Sequence, residues 1–520
     1  MARQPVPESG ERGLVRKIDF FILSFCCLSY FVNYLDRSNL ANAYVSGMRE
    51  DLGFVGDQLN QINTCFTIGS CGYTIQLRTR RDETQLHFTS SYILGQVPSN
   101  LSLSYIRPRL WFPSMMLIWG SLTMATAATH SPKAIMAIRL FQGACEASTF
   151  VGTHLVLGAW YKQSELGIRS GIFTASGLAG TMIGGFVQTG IHARLNGRRG
   201  LAGWRWLFII DGLLTLPVAV YGFTLFPDTP RETTAPYLSP DERAMARARV
   251  PDVADKQRTP LTKAFARRVV TSWQFWGFVG LWVLAGEAES PAANSLLALF
   301  MQSHPSQRYS VAQMNNYPAG VSAVGIASTL ACAALTDRLG GRRQLAGYVA
   351  AAAGVVSAVM LLVAARLSPT EPATTAMVFA GFYVSGAVYA TQAVFFAWCN
   401  DAMRYESDAF RGVVLASMNL GSNAVNAWWS LVFYGASTAP WFTRGMWAML
   451  ACCIALSLWT AGLARKIGQE ERGRASEAMA AEGCPGQRAC AEPVSSIRSG
   501  GYPAVRGVSP GVSSGDGKDK

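Results

Sequence analysis

The chain has 520 residues, of which half are hydrophobic and only 15% are charged. Soluble domains usually carry about 25% charged residues, and the apolar residues here form long blocks of the kind that cross membranes. This composition argues against a soluble multidomain protein. The formal net charge of +13 is explained by basic cytoplasmic loops and tails, so it does not indicate nucleic-acid binding.

Twelve apolar segments are predicted to span the membrane, six in each half of the chain. The first half contributes approximately 18–40, 58–69 joined to 92–106, 112–129, 133–157, 168–191 and 205–226. The second contributes approximately 273–301, 312–335, 344–365, 375–399, 410–434 and 444–464. We therefore predict an all-α membrane protein with two pseudo-symmetric six-helix bundles, 18–226 and 273–465, a layout found in secondary transporters.

The remaining segments are polar. Residues 1–17 form a basic N-terminal tail without the features of a cleavable signal, 227–272 form a central loop, and 466–520 are predicted to be a disordered tail. In the central loop, "SPDER" predicts a helix with Ser239 as its N-cap. The short loops on the two sides carry similar numbers of Arg and Lys, largely because "RLNGRRGLAGWR" is basic. The central loop and the N-terminal tail favour a cell-membrane protein with both termini in the cytoplasm.

Ionisable residues inside membrane spans are functional candidates because their burial is costly. The first span contains Asn33, Asp36 and Arg37, and the fourth contains Arg139 and Glu146, which are seven residues apart and share a helix face. The natural partners across the two helices are Asp36 with Arg139 and Glu146 with Arg37. Alternatively, the first helix ends near Leu35, or the fourth-span charges form structural pairs at helix ends.

Weaker signals lie in other spans. Asn419, Asn423 and Asn426 share one face of the eleventh span, where they line the substrate path or bond to a neighbouring helix. Glu287 and Glu289 are predicted to lie at the mouth of the seventh span or in a plain loop. Gly177, Gly180, Gly184 and Gly185 predict a close-packing surface on the fifth span.

No nucleophile–base set, metal-ligand spacing or Gly-rich phosphate loop is recognisable, so the sequence predicts neither an enzyme nor a bound metal or cofactor. The Cys residues in the apolar blocks are interpreted as small packing residues. The loop "TDRLGGRR", Thr336–Arg343, resembles the loop signature of the major facilitator superfamily. Its Asp337 is suited to pair with an Arg at a neighbouring helix end, and Gly340 allows a tight turn beside Arg338, Arg342 and Arg343.

A closer resemblance, to the fungal allantoate/pantothenate permease family in the anion:cation symporter branch of that superfamily, extends from about residue 18 to 465. It is carried, in order, by "NYLDRSNLANA", "RLFQGACEAS", "GWRWLFIIDG", "FPDTPRETTAPYLSPDER", "YSVAQMNNYPAGVSAVGI" and "VVLASMNLGSNAVNAW". The resemblance implies a monomeric, proton-coupled carrier of a small organic anion. It also implies that Arg37 contacts the substrate carboxylate, with Asn33, Arg139, Asn419 and Asn423 nearby, and that Asp36 and Glu146 serve proton coupling. An exporter of a secondary metabolite is the alternative.

The second span is interrupted by "SCGYTIQLRTRRDETQLHFTSS", Ser70–Ser91, which places three Arg, one Asp and one Glu in the middle of an apolar segment. Joining Gly69 to Tyr92 restores one continuous apolar helix. The segment is either an insertion that loops out of the bilayer or a retained in-frame intron, and we favour the intron. Unpaired charge at that depth is costly.

Overall fold

The computed structural model describes residues 8–71, 106–230, 232–249, 262–304, 307–339, 341–368, 371–403 and 405–482. Within these ranges every regular element is a helix. The helices of the first half are Glu8–Ile18, Asp19–Leu23, Ser24–Ala43, Tyr44–Met48, Arg49–Asp51, Gln58–Cys71, Pro108–Thr126, Pro132–Glu146, Thr149–Trp160, Gln163–Leu195, Arg198–Gly200 and Gly203–Leu225. Asp19–Leu23 and Tyr44–Met48 are π-helical turns that continue the first span.

The second half follows the central-loop helices Pro240–Arg249 and Lys263–Thr271. Its helices are Trp273–Ala293, Leu296–Gln302, Val311–Asn316, Ala319–Arg338, Gln344–Ala364, Pro372–Ser385, Gly386–Ala390, Thr391–Ala402, Asp408–Phe433, Ala436–Thr438 and Thr443–Glu482. Within the described residues, seven helices are long and apolar enough to cross a membrane, or eight if the bent pair Lys263–Thr271 and Trp273–Gln302 forms one span. Helices lie at eleven of the twelve predicted positions and at 58–69 of the second, whose part 92–105 lies outside the described residues. Twelve crossings stay a prediction.

The ends of two spans differ from the prediction. The first helix begins at Glu8, inside the predicted tail, and the last helix continues from Thr443 to Glu482. The prediction that the disordered tail begins at residue 466 is therefore wrong for 466–482, where Ala, Glu and Arg favour helix and Arg474 pairs with Glu470 one turn earlier. Residues 483–520 lie outside the described residues, as do 72–105, which contain nearly all of the Ser70–Ser91 segment.

The same helix pairs recur in the two halves. In the first half, the first span packs against the fifth, and the second span packs against the fourth. In the second half, the seventh span packs against the eleventh, and the eighth span packs against the tenth. The halves meet where the second span contacts the eleventh and the fifth contacts the eighth. The fold therefore places the first and fourth spans inside one half and leaves their inner faces turned towards the other.

Glycines bring the fifth span very close to its neighbours. A Cβ at Gly180 would lie 2.2 Å from the carbonyl oxygen of Phe31, and one at Gly184 would lie 2.7 Å from Ser38 Oγ. A Cβ at Gly185 would lie 2.1 Å from the carbonyl oxygen of Asn315, in the other half. The predicted close-packing surface is confirmed, and it holds the charged first span in place.

The two halves are sealed together at the end of the molecule away from the termini. There, one hydrophobic cluster contains Met48, Trp204 and Phe208 of the first half together with Phe300 and Met301 of the second. Towards the termini, one cluster contains only first-half and central-loop residues and another only second-half residues. We call the sealed end, defined by the cluster around Met48 and Phe300, the closed end.

The central loop is attached to the first half by ion pairs. Ser239 caps Pro240–Arg249 as predicted, because its Oγ accepts a bond of 3.1 Å from the Glu242 amide. At the other end of that helix Arg249 lies 2.7 Å from Glu165, while Glu242 lies 2.8 Å from Lys17. The helix Pro240–Arg249 therefore belongs structurally to the termini side of the first bundle, whereas Arg268 on Lys263–Thr271 lies 3.1 Å from Glu406 of the second half.

Candidate functional site

Asp36 and Arg139 form a buried pair between the first and fourth spans. Arg139 Nη1 lies 3.8 Å from Asp36 Oδ1, and Arg139 Nη2 donates to the Asp36 carbonyl oxygen at 3.3 Å. Asp36 also accepts hydrogen bonds from Thr123 Oγ1, at 2.8 Å, and from Gln142 Nε2. All four side chains are buried. The predicted partnership is confirmed, and its surroundings hold the carboxylate firmly.

Glu146 and Arg37 form the second predicted pair. Arg37 Nε lies 3.4 Å from Glu146 Oε2, which also accepts a 2.6 Å bond from Asn33 Nδ2. The Glu146 side chain is fully buried, whereas the Arg37 side chain is 38% exposed. Glu146 Oε1 has no hydrogen-bond partner among the described residues. Arg37 is therefore the cation of the cluster that remains accessible to a bound molecule.

The alternatives that placed these charges at helix ends are wrong. Asp36 and Arg37 lie well inside Ser24–Ala43, which continues beyond Leu35. Glu146 ends the helix Pro132–Glu146, but Thr149–Trp160 resumes after two residues. The break thus lies in the middle of the fourth span, next to the charged pair.

Phe66 and Tyr34 cover the arginines with aromatic rings. The Arg37 guanidinium carbon lies 4.9 Å from the Phe66 ring centroid and 5.2 Å from that of Tyr34, and Arg139 lies 5.8 Å from Phe66. Such contacts stabilise a cation whose hydration is incomplete. Phe66 lies on Gln58–Cys71, so the described part of the second span contributes to the site.

Sequence reasoning missed two members of the cluster. Asp211, on Gly203–Leu225, is buried and accepts a 2.7 Å bond from Asn39, while its Oδ1 has no hydrogen-bond partner among the described residues. Gln142 lies three residues after Arg139 and four residues before Glu146, so all three share one helix face. Both signals were readable: a lone carboxylate in "FIIDG" and an amide in the polar face of "RLFQGACE".

The cluster carries more acid than base. Asp36, Glu146 and Asp211 face Arg37 and Arg139, so full ionisation would leave one uncompensated negative charge in a buried region. Uncompensated buried charge is strongly unfavourable, and one proton on a carboxyl removes it. An anion that approaches Arg37 competes with Glu146 for the guanidinium and favours protonation of Glu146.

The seventh-span glutamates are not at a mouth or in a loop, and that prediction is wrong. Glu287 and Glu289 lie inside Trp273–Ala293 and are buried. Glu289 accepts hydrogen bonds from Thr391 Oγ1, at 3.0 Å, and Gln392 Nε2, at 2.8 Å. Neither carboxylate oxygen of Glu287 has a hydrogen-bond partner among the described residues. The helix passes through Pro291 and ends at Ala293, so both glutamates lie within it.

The eleventh-span amides divide into two kinds. Asn426 accepts a 3.3 Å bond from Ser430 Oγ on its own helix. Asn419 and Asn423 are half-buried and make no hydrogen bond within the described residues. A role for them in substrate binding stays a prediction.

The predicted loop motif is anchored through Arg343. Its Nε lies 3.2 Å from Asp401 Oδ2 at the end of the tenth span, and its Nη1 donates to Thr336 Oγ1 at 3.3 Å. Gly341 has a φ of +82°, so a glycine does form the tight turn. Arg338 and Arg342 are exposed, while Gly340 and the Asp337 side chain lie outside the described residues.

A small cavity of about 30 Å³, lined by both polar and apolar side chains, lies between the halves on the side of the closed end. That volume accommodates a water molecule but no organic substrate. Its lining includes Ser38 and Asn42 of the first span, Thr181 of the fifth, Ser295 beside the seventh, and Asn315 and Ser322 of the eighth. Above the charged cluster, the path towards the closed end is thus shut.

Residues 26–430 match the family model described as Major Facilitator Superfamily. The chain is 43% identical over 441 residues to the pantothenate transporter liz1 of Schizosaccharomyces pombe, covering 85% of this chain and 79% of the relative. It is 44% identical over 452 residues to the pantothenate transporter FEN2 of Saccharomyces cerevisiae, covering 85% and 82%.

Solved structures share the fold at low sequence identity. The nucleoside transporter NupG superimposes with a TM-score of 0.55 at 13% identity, covering 85% of this chain and 99% of that one. A bacterial homologue of the human lysosomal transporter Spinster, described as inward-facing and occupied, superimposes with a TM-score of 0.57 at 13% identity, covering 86% and 96%.

Proposed function

Because the chain belongs to the major facilitator superfamily and is a secondary transporter, we propose that it imports a small organic carboxylate of the pantothenate class together with protons. The observation that carries the proposal is the pair formed by the partly exposed Arg37 and the fully buried Glu146. Two relatives at 43% and 44% identity are pantothenate transporters, and pantothenate is a carboxylate. The same chemistry fits a guanidinium that faces a bound molecule.

The coupling follows from competition for Arg37. In the absence of substrate, Arg37 compensates the Glu146 carboxylate. A substrate carboxylate at Arg37 takes over the guanidinium, and Glu146 then takes a proton because a buried unpaired carboxylate is unfavourable. Anion and proton thus bind with positive linkage, which lets a proton gradient drive accumulation. Asp36, held by Arg139, Thr123 and Gln142, keeps the first span in the required position.

Transport proceeds by alternating access of the cluster to the two sides. With both termini in the cytoplasm, the closed end faces outwards, and the structure corresponds to a state shut on the outside. Opening to the outside requires the contacts between the halves around Met48 and Phe300 to separate, and the helices near the termini to close. Near the termini, Phe150 of the fourth span already contacts Phe396 of the tenth, at 5.4 Å between ring centroids. The single chain, without a metal or cofactor, carries out this cycle in the cell membrane.

The test is uptake of radiolabelled pantothenate at acidic and neutral external pH by yeast cells that lack their own pantothenate uptake. The full chain is expected to restore accumulation, more strongly at acidic pH. Glu146→Gln is expected to abolish gradient-driven accumulation while exchange of internal for external substrate continues. Glu50→Gln, which changes an exposed Glu near the closed end, is the matched control.

Two results would contradict the proposal. Accumulation by Glu146→Gln with unchanged pH dependence would remove Glu146 from coupling. The alternative function, export of a secondary metabolite, predicts that expression lowers rather than raises cellular content of the carried compound, so efflux from preloaded cells separates the two directions.

A further inference from the structure

The second half contains a polar group that the carboxylate mechanism does not use. Glu289 is 6% exposed, and it lies on the seventh span, where Thr391 and Gln392 of the tenth span donate one hydrogen bond to each of its oxygens. A carboxylate offers about four lone-pair sites. About two acceptor sites therefore remain for another donor.

Glu289 faces the first half across the boundary between the bundles. Phe396, one turn after Gln392 on the tenth span, lies 5.4 Å from Phe150 of the fourth span between ring centroids, and Phe150 lies 5.8 Å from Tyr30 of the first span. Tyr30 donates a 3.1 Å hydrogen bond to Tyr34, whose ring lies under the Arg37 guanidinium. The face of the tenth span that binds Glu289 therefore packs against the aromatic residues beside Arg37.

The neighbouring carboxyl group points elsewhere. Glu287 is 1% exposed, and neither of its carboxylate oxygens has a hydrogen-bond partner among the described residues. Residues that are two positions apart on an α-helix point in directions that differ by about 200°. Glu287 and Glu289 therefore face nearly opposite sides of the seventh span. Of the two buried glutamates on this helix, Glu289 is the one turned towards the tenth span, at Thr391 and Gln392.

We propose that Glu289, supported by Thr391 and Gln392, is a specificity-determining subsite that accepts hydrogen bonds from hydroxyl or amide N–H groups of the substrate. This inference rests on the proposed function, since it assumes that Arg37 binds the carboxylate at the other end. It identifies the substrate class as carboxylates with donor groups distant from the carboxylate. Pantothenate has this form, with hydroxyls and an amide on the far side of the molecule.

The subsite discriminates between substrates because one that lacks donor groups leaves the buried Glu289 acceptor without a partner. A substrate without hydroxyls would desolvate Glu289 and return no hydrogen bond, and sites that bind substrate polar groups reject analogues lacking them for this reason. Each hydrogen bond gained by the substrate changes affinity by roughly two- to tenfold. Apolar carboxylates of the same length are therefore expected to bind Arg37 but with lower affinity.

The experiment measures competition against radiolabelled pantothenate binding to the purified full-length protein. The two competitors are pantothenate and the analogue in which both hydroxyls are replaced by hydrogen. For the wild type we expect pantothenate to compete roughly tenfold better than the analogue. Glu289→Met removes both acceptor oxygens at similar volume and is expected to bring that ratio close to one, chiefly by weakening pantothenate. Glu287→Met is the matched control and should keep the wild-type ratio.

A Glu289→Gln variant retains one acceptor, so it should lower the ratio in the same direction even if Glu289→Met does not fold. An unchanged ratio in the Glu289 variants, or an equal loss for both competitors, would overturn the subsite. A change in the pH dependence of binding with an unchanged ratio would also overturn it and would indicate a second proton site. If the wild type bound neither compound, the proposed substrate class itself would be wrong.

Discussion

The two halves share helix pairings but differ in how they bury charge. The first half buries three carboxyl groups beside two guanidinium groups, joined by the Asp36–Arg139 and Glu146–Arg37 pairs. In the second half, the seventh span buries two carboxyl groups, Glu287 and Glu289, whose hydrogen-bond donors within the described residues are neutral or absent. A fold built from repeats thus does not imply equivalent chemistry. In the proposed mechanism, the first half binds the anion and the second half presents acceptors to it.

The sharpest test of this asymmetry is Arg37→Ala. Removal of the one partly exposed cation in the cluster should lower uptake of a carboxylate substrate by about two orders of magnitude, because a charged hydrogen-bonded partner is lost. Arg194→Ala changes an exposed Arg at the end of the fifth span, outside the cluster, and serves as the control. Uptake is measured with surface expression in the same cells. Normal uptake by Arg37→Ala would show that the anion site lies elsewhere.

The second test separates binding from folding within the first half. Arg139→Met leaves Asp36 buried without its guanidinium, which should destabilise the protein by about 3–5 kcal/mol. The expected result is a lower melting temperature in detergent and reduced surface expression. The double variant Asp36→Asn with Arg139→Met should recover most of the lost stability. A single variant as stable as the wild type would mean that this pair does not hold the first span.

A third test concerns the second span, which supplies Phe66 to the site. Deletion of Ser70–Ser91 should raise surface expression several-fold and increase transport, since a change of 1–2 kcal/mol in stability alters abundance by about that factor. The comparison is with the full chain in the same vector, together with sequencing of transcripts across the segment. Equal expression and activity would show that the segment is tolerated, and loss of activity would make it a functional element.

A fourth test concerns the glycine surface that supports the first span. Gly180→Ala places a Cβ 2.2 Å from the Phe31 carbonyl oxygen, and such overpacking should lower the stability by about 1–3 kcal/mol. Gly190→Ala, on the same helix, meets no atom within 4 Å. It should be neutral or slightly stabilising, because Ala is the better helix former. Equal melting temperatures for the two variants would contradict the close contact.

Much of the candidate site could be predicted from the sequence because its signals are local. Hydropathy located the helices, and the spacing of Arg139 and Glu146 placed both on one face. Charge complementarity then predicted both ion pairs, since buried charges require partners. The capping residue Ser239 and the glycine surface were predicted for similar reasons: each depends on neighbours within one or two turns.

Only the tertiary structure decided which distant side chains join the cluster and where each helix ends. Asp211 and Phe66 reach the site from the sixth and second spans. The lone carboxylate of Asp211 is readable in the sequence, but its local sequence does not indicate which cluster it joins, and that of Phe66 gives no signal. The directions of Glu287 and Glu289 depend on the continuation of the seventh helix through Pro291 and on its packing against the tenth span. Local pattern determines a helix and its faces, whereas the partner of each face is set by packing between segments far apart in the chain.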